Sequence, residues 1–200
     1  MKISPARTAA FDILTKVAEQ EAYSSVLLPL HENDLSPADR SLCHELTLGV
    51  LRRQLYLDRL IDTLTAGKKI DLAVRIAFRI ALYQLISLSK IPDHSAVNES
   101  VNLVIRARKT SAKGFANAIL RKFLREKPEL QFDDEIDRIA VTTSHPRWLI
   151  EKWIGDFGIE TATAAAEANN AIPRTAFRVL TTDAEVEALI ERSQPSKHLA

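Results

Sequence analysis

Residues 71–88 read DLAVRIAFRIALYQLISL, and as a helix this stretch is apolar on nearly every face. After Asp71, only Arg75, Arg79 and Gln84 interrupt the apolar pattern. A helix that is hydrophobic all round is usually buried on several sides, so the pattern predicts the central helix of a bundle. Two arginines in so short a stretch make it a poor membrane span. We expect both arginines to lie at a helix edge or to pair with acids.

Helical patterns continue outward from this stretch through the first 127 residues. Ser4-Pro5 and Ser36-Pro37 each place a capping residue before a proline, an order typical of helix starts. Ser95 is predicted to cap a further helix, and Lys113-Gly114 to separate that helix from the last one of the bundle. Apolar stripes at helical spacing mark the remaining helix faces, at 10–17, 42–50, 57–64, 97–105 and 116–123.

The composition changes after Pro128. Five acids and one arginine in 128–140 predict a linker. A helix follows, for which Leu149, Trp153 and Phe157 are the expected apolar side, and Trp148 and Trp153 fit core packing better than base stacking. The segment 175–180 is the one strand candidate, with a possible helix at 182–192. Because a lone strand is not stable, we expect this second unit to be incomplete and the chain to be part of a longer protein.

Neither the cysteine nor the histidines predict an active site or a metal site. Cys43 precedes His44, but neighbours on a helix point about 100° apart and do not face each other. We therefore expect Cys43 to be a core thiol, and the five histidines show no ligand spacing. No uncharged apolar run is long enough for a membrane helix and no secretory signal is present, which predicts a cytoplasmic protein.

Positive charge is concentrated in residues 106–127, RARKTSAKGFANAILRKFLREK. Eight of these 22 residues are Lys or Arg and only Glu126 is acidic, in a chain of net charge +1. Cations on one surface bind a phosphate backbone by releasing its counterions, whereas the alternative is an ordinary solvated helix face. The predicted RNA-binding residues are Arg7, Arg106, Arg108, Lys109, Lys113, Arg121, Lys122 and Arg125.

The first 128 residues contain four short sequence segments that, in this order, resemble a known family: ELTLGVLR, YQL, AVNESV and FANAILR. Together they resemble the all-helical RNA-binding domain of NusB, a bacterial antitermination factor that binds RNA and a ribosomal-protein partner. The resemblance implies an RNA-binding helical bundle. It also implies a possible protein partner or homodimer.

A second resemblance begins at SHPRWLIEKWIGDFGIETATAAAEANN, residues 144–170, and continues in RTAFRVL. This segment is similar to the one that follows the NusB-like domain in the Sun/Fmu (RsmB) family of 16S rRNA (cytosine-C5) methyltransferases. There it opens a small RRM-like domain that leads to the catalytic domain. The family's Pro-Cys and Thr-Cys-Ser motifs are absent here. The resemblance therefore assigns this chain no catalytic or cofactor residue, and S-adenosylmethionine is expected only for the full-length enzyme.

The predicted fold is mainly α: a NusB-like all-helical bundle followed by the start of a small α+β, RRM-like domain. The expected division is 1–128 for the bundle, 129–143 for a linker and 144–200 for the truncated second domain. The leading hypothesis for function is the RNA-binding region that docks a methyltransferase on 16S rRNA. Two alternatives stay open at this point: a NusB-like antitermination factor and a helical protein-interaction module.

Overall fold

A computed structural model describes residues 3–171, and within them the chain folds into helices joined by short connections. The helical class predicted from the sequence is confirmed, while the strand predicted at 175–180 and the helix at 182–192 lie outside the described residues. A 3-10 turn, Thr110–Ala112, joins the sixth helix to the seventh. The α-helices are α1 Pro5–Gln20, α2 Ser24–Glu32, α3 Pro37–Arg52, α4 Gln54–Thr65, α5 Leu72–Ser87, α6 Asp93–Arg106, α7 Lys113–Glu126, α8 Glu135–Thr143, α9 Arg147–Phe157 and α10 Ile159–Asn169.

The central helix is α5, as its all-round apolar pattern predicts. It packs against α1, α3, α4, α6 and α7. Every residue from Ile76 to Gln84 is buried, which is possible only if neighbours surround the helix. The Asp71 carboxylate accepts a hydrogen bond from the Ala73 N–H and so caps the first turn.

The two arginines of α5 pair with acids of α4, as expected from the sequence. Arg79 donates to both carboxylate oxygens of Asp58, at 2.8 and 2.7 Å. Arg75 donates to Asp62 at 2.7 Å and to Asp58 at 3.3 Å. These four side chains therefore fix α4 against α5 and are structural rather than available to a ligand.

Gly49 of α3 makes room for a tyrosine of the central helix. A Cβ atom built on Gly49 would come within 2.6 Å of Tyr83 Cε1, and closer still to Cζ and the hydroxyl oxygen. The Tyr83 hydroxyl donates a hydrogen bond to Glu45, one turn before Gly49 on the same helix. Burial and this carboxylate both raise the pKa of Tyr83, so the hydroxyl stays protonated and remains a donor.

Arg7 of α1 forms an internal polar junction with α5 and α6. Its Nε donates to the Gln84 side-chain carbonyl at 2.7 Å, and its Nη1 lies 3.1 Å from Glu99. The other Glu99 oxygen accepts from the Ser4 N–H at 2.7 Å. Burial lowers the pKa of the Arg7 guanidinium, while Glu99 opposes that shift. Gln84 of YQL and Glu99 of AVNESV therefore have a structural role, because they satisfy the buried charge of Arg7.

Helix starts follow the predicted signals in α1 and α3 but not in α6. Pro5 and Pro37 are first residues, and the Ser36 hydroxyl accepts from the Asp39 N–H, whereas the Ser4 hydroxyl accepts from Arg7 and makes no cap hydrogen bond. The predicted cap at Ser95 is wrong, because α6 begins two residues earlier at Asp93 and the Ser95 hydroxyl donates to Glu99 instead. Gly114 does not separate two helices either, since it lies in the first turn of α7.

The acidic segment expected to be a linker contains helix α8, which packs against α4. Asp134 caps this helix by accepting from the Asp137 N–H. The Asp137 carboxylate receives two hydrogen bonds from Arg59 of α4, at 3.0 and 2.7 Å. Two of the acids that suggested a solvated linker thus start a helix and bind it to the bundle.

Helices α9 and α10 pack with α8 around a second, smaller core. Its buried side chains are Ile139, Ala140, Ile150 and Ala166, with Trp153 packed against them. The predicted apolar side of α9 is therefore shifted, because Ile150 is buried while Phe157 is exposed. Core packing predicted for Trp148 is wrong, since 64% of this residue is exposed.

Within residues 3–171, no helix is both long enough and apolar enough to span a bilayer.

Candidate nucleic-acid interface

The basic residues of 106–127 lie along the end of α6, the connecting turn and α7, and we call this surface the basic ridge. The end of α6 is closed by a Schellman motif, in which the Arg108 and Lys109 N–H groups donate to the Ile105 and Val104 carbonyls. Arg108 takes the left-handed position of this motif, with φ +61°. Glycine is usual there, because a side chain at positive φ costs about 1 kcal/mol.

Carboxylates from inside and outside the segment neutralise part of the ridge. Asp12 of α1 accepts from both terminal nitrogens of Arg106. Lys109 lies 2.7 Å from Asp71, and this hydrogen bond lowers the pKa of the Asp71 carboxyl. Glu126 is shared by two further cations of the ridge, Lys122 at 3.9 Å and Arg125 at 2.7 Å. These four cations already have partners.

The other cations of the ridge are exposed and unneutralised. Arg108 and Lys113 form no ion pair within residues 3–171. Arg121 donates from Nε to the Asn117 side-chain carbonyl at 3.1 Å, a contact that orients its guanidinium without cancelling the charge. Eight cations and three carboxylates leave the ridge with a clear positive excess.

Arg7 does not belong to this surface, contrary to the expectation from the sequence. Only 5% of the residue is exposed, and its guanidinium is engaged by Ser4, Gln84 and Glu99. The sequence could not show this, because the partners lie on α5 and α6, far along the chain.

A first groove, the lysine groove, lies beside the ridge and adds cations that the sequence analysis missed. It has a volume of about 350 Å³ and is lined by Lys68 and Lys69 from the α4–α5 connection together with Lys109 of the ridge. Phe115 contributes an apolar wall and packs against Phe78, with ring centroids 6.0 Å apart. The signal available in the sequence was the pair of adjacent lysines after Gly67.

A second groove, the asparagine groove, is lined by residues of both α6 and α7. It has a volume of about 480 Å³, and Val101 contributes an apolar side chain to its lining. The remaining lining residues are polar or small: Asn98, Asn102, Lys113, Gly114 and Asn117. The sequence analysis assigned no role to these asparagines, although Asn98 and Asn102 have the one-turn spacing that places two side chains on one helix face.

Cys43 is a core thiol, as expected. It is fully buried in α3, and burial raises the pKa of its thiol, so the reactive thiolate is disfavoured. Its neighbour His44 is on a different side of the helix and contacts Glu32 of α2. Among the described residues, no group of three or more His, Cys, Asp or Glu side chains is arranged to hold a metal ion.

Comparison with known families identifies the bundle. Residues 4–125, more than half of the chain, match the NusB family. The chain belongs to the NusB family. The matched residues run from the start of α1 to the last turn of α7, so they include the basic ridge as far as Arg125 and both grooves of this NusB-family chain.

The similarity extends beyond the NusB-family bundle. Residues 145–195 match the domain described as "Methyltr_RsmF/B-like, ferredoxin-like domain". The chain is 33% identical over 198 residues to the probable ribosomal RNA small subunit methyltransferase B of Bacillus subtilis, a match that covers 96% of this chain and 44% of the relative. It is 37% identical over 175 residues to ribosomal RNA small subunit methyltransferase B of Pseudomonas putida, with 86% and 39% covered. The chain thus spans about two fifths of the length of these relatives.

Proposed function

We propose that this NusB-family chain is the RNA-binding region of a ribosomal RNA small subunit methyltransferase and docks the enzyme on 16S rRNA through the basic ridge. The observation that carries the proposal is the excess of cations over carboxylates on the α6–α7 surface, increased by Lys68 and Lys69. The names of the relatives support ribosomal RNA as the polyanion. The proposed place of action is the cytoplasm.

The position of Arg108 adds a physical argument for ligand binding. An arginine in a left-handed conformation is less stable than a glycine there, and no described contact of its side chain compensates that strain. A phosphate bound by the exposed guanidinium would supply the missing stabilisation.

Methyl transfer itself is proposed for the remainder of the longer protein, where S-adenosylmethionine would supply the methyl group. The described residues do not fit a role in that step, because the thiol of Cys43 is enclosed in the bundle core and cannot reach a base. Chemistry on a cytosine requires the base to leave its stack. The contribution of this region is therefore to hold the RNA by its backbone, so that the base is presented to a distant pocket.

The proposal is tested with the double variant Lys113→Glu, Arg121→Glu, in a fluorescence anisotropy titration with a 16S rRNA fragment across a salt series. Each phosphate contact contributes about 0.7–0.9 to the slope of log K against log salt concentration. Loss of two contacts should lower the slope by about 1.4–1.8 and weaken binding most at low salt. Arg108→Gly should also weaken binding, yet raise the free energy of unfolding by up to about 1 kcal/mol.

The control is Lys152→Glu, which reverses one cation, half of the charge change of the double variant, on α9, a helix that packs against α8 and α10. Its salt slope and affinity should equal those of the unmodified protein. If the double variant keeps both its slope and its affinity while remaining folded, the ridge does not bind RNA.

A protein partner or a homodimer is a second proposal, supported by an exposed apolar face on α2. Val26 and Leu30 of α2 lie one turn apart, Tyr23 directly precedes the helix, and all three are largely exposed. Sedimentation velocity of the Val26→Glu, Leu30→Glu variant tests self-association, which should be lost if α2 forms the interface.

The antitermination alternative is less favoured, because the similarity to the methyltransferase-associated ferredoxin-like domain continues through residue 195.

A further inference from the structure

The lysine groove is lined by two kinds of side chain, cations and apolar groups. Lys68, Lys69 and Lys109 supply the cations, and Phe115 supplies an aromatic ring. The other apolar lining residues are Ile70, Val74 and Ala112. The volume of about 350 Å³ falls within the range of small-molecule pockets, about 300–1,000 Å³. The groove therefore suits a small ligand that carries negative charge together with a flat apolar group.

Positive charge in this groove exceeds negative charge. Among the described residues, neither Lys68 nor Lys69 forms an ion pair. Asp71 is the single acid of the described lining, and its carboxylate lies 2.7 Å from the Lys109 ammonium group. The first turn of α5 forms part of the same wall, so the positive end of the helix dipole adds to the potential. Two adjacent lysines repel each other, and a bound anion removes that repulsion.

The two lysines without ion-pair partners follow an ordered turn. Ala66 and Gly67 have positive φ values, 53° and 68°, which redirect the chain directly after α4. The Gly67 N–H donates to the Asp62 carbonyl at 2.8 Å, and the Lys68 N–H donates to the Thr65 carbonyl at 3.2 Å. Because hydrogen bonds already fix this backbone, less conformational freedom is lost when a ligand binds.

A nucleotide combines the two chemical features that the lining residues fit. Lysine ammonium groups bind phosphate as point charges. An aromatic side chain can stack on any base, because every base has a π-face. Phe115 packs against Phe78, with ring centroids 6.0 Å apart, so its ring is held in the groove wall. The adjacent positions of Lys68 and Lys69 suit two directly joined phosphates better than the phosphates of an RNA chain, which a ribose separates.

We propose that the lysine groove binds a free nucleoside diphosphate, with its phosphates on Lys68 and Lys69 and its base against Phe115. The inference goes beyond the proposed docking on RNA, because the ligand is a small molecule and its binding requires no RNA.

Isothermal titration calorimetry of the chain with ADP, adenosine and pyrophosphate tests the proposal. ADP should bind with an affinity that falls as the salt concentration rises. Adenosine and pyrophosphate should each bind at least about tenfold more weakly, since each lacks one of the two recognised groups. The double variant Lys68→Glu, Lys69→Glu should weaken ADP binding by more than about tenfold. The matched control is Lys90→Glu, Lys152→Glu, which has an equal charge change at exposed lysines that line neither groove, and it should bind ADP like the unmodified chain.

Two further substitutions measure the phosphate and the base contacts separately. Asp71→Asn removes the carboxylate of the lining and releases Lys109, so it should strengthen binding of ADP and of pyrophosphate by about three- to tenfold. Asparagine caps a helix as well as aspartate does, so α5 keeps its cap, and a gain in affinity cannot result from unfolding. Phe115→Leu keeps an apolar side chain against Phe78 but removes the stacking face. It should weaken ADP binding by about tenfold and leave pyrophosphate binding unchanged.

Each outcome supports or refutes the site. If ADP does not bind, or if the Lys68→Glu, Lys69→Glu variant stays folded and binds ADP like the unmodified chain, the groove is not a nucleotide site. Pyrophosphate binding as tight as ADP binding refutes recognition of the base, and unchanged affinity in Asp71→Asn refutes phosphate binding at these lysines. The RNA titration is independent of these measurements. Salt-dependent RNA binding without ADP binding refutes only this inference, and ADP binding without RNA binding refutes only the proposed function.

Discussion

Replacement of Gly49 by alanine should destabilise the bundle, although alanine is intrinsically the better helix residue. The gain in helix propensity is about 0.5–1 kcal/mol. Against it stands the overlap with Tyr83, whose Cε1 would lie 2.6 Å from the new methyl carbon. Carbon atoms in contact are normally about 3.5–4.0 Å apart, and Tyr83 Cζ overlaps more than Cε1, so the ring or the helix must move by more than about 1 Å.

The magnitude follows from the two ways of relieving this overlap. If α3 and α5 separate, overpacking costs about 1–3 kcal/mol. If the ring leaves its site, the protein loses a hydrogen bond to a charged carboxylate, about 1.5–3 kcal/mol, and part of the burial of Tyr83. Because the protein relaxes by the cheaper route, subtraction of the helix propensity leaves an expected net loss of about 0.5–2 kcal/mol.

Urea unfolding followed by circular dichroism measures this loss. The midpoint should fall while the m-value stays constant, since the folded state remains compact. Gly155→Ala is the control, and it should increase the free energy of unfolding by about 0.5–1 kcal/mol. In a Tyr83→Leu background, which removes the overlapping ring atoms, Gly49→Ala should cost much less. Equal stability of Gly49→Ala and the unmodified chain, or absence of coupling to position 83, would refute this account of Gly49.

Two further predictions concern the buried ion pairs. Asp137→Asn should lower the free energy of unfolding by about 1–3 kcal/mol at neutral pH, because it removes the carboxylate that binds Arg59. The hydrogen bonds from Arg59 lower the pKa of the Asp137 carboxyl in the folded state. The stabilisation is therefore complete above about pH 3.9, the usual pKa of an aspartate, and is lost as the pH falls through the lower pKa of the folded state. Urea unfolding should show a smaller difference in free energy of unfolding between Asp137→Asn and the unmodified chain at pH 3 than at pH 7. Arg7→Met should cost about 3 kcal/mol in urea unfolding, because Glu99 loses its buried partner, and Glu99→Gln in the same chain should restore part of it.

Patterns that involve only neighbouring residues predicted most of the helical bundle. The all-round apolar run of α5 and the cap-proline starts of α1 and α3 each depend on contacts within a few turns of chain. The start of α6 was misjudged because Ser95 has a competing partner, Glu99, one turn away. On α9, apolar residues on two sides of the helix fit two possible faces, and only packing against α8 and α10 selects the one that includes Ile150.

The candidate site was less predictable, because charge in the sequence does not show which charges are already paired. Asp12 and Asp71 reach the ridge from α1 and from the start of α5, and both are distant in sequence from the arginine or lysine they bind. Likewise, the lysine groove and the asparagine groove are each lined by residues of different helices and connections, which only the fold brings together. The local excess of basic residues in the sequence predicted the basic ridge as a candidate surface, whereas the residues that line its grooves emerged only from the fold.

The distinction between paired and unpaired cations decides which residues can contribute most to the proposed RNA binding. A phosphate that binds Arg106 must compete with a carboxylate that already receives two hydrogen bonds, so the net gain is the difference between two similar interactions. A phosphate that binds Arg108 or Lys113 displaces only water and mobile ions, and counterion release from the RNA then favours binding. The affinity of the ridge should therefore depend on its unpaired members, which lie at the connection between α6 and α7 and at the edge of the asparagine groove.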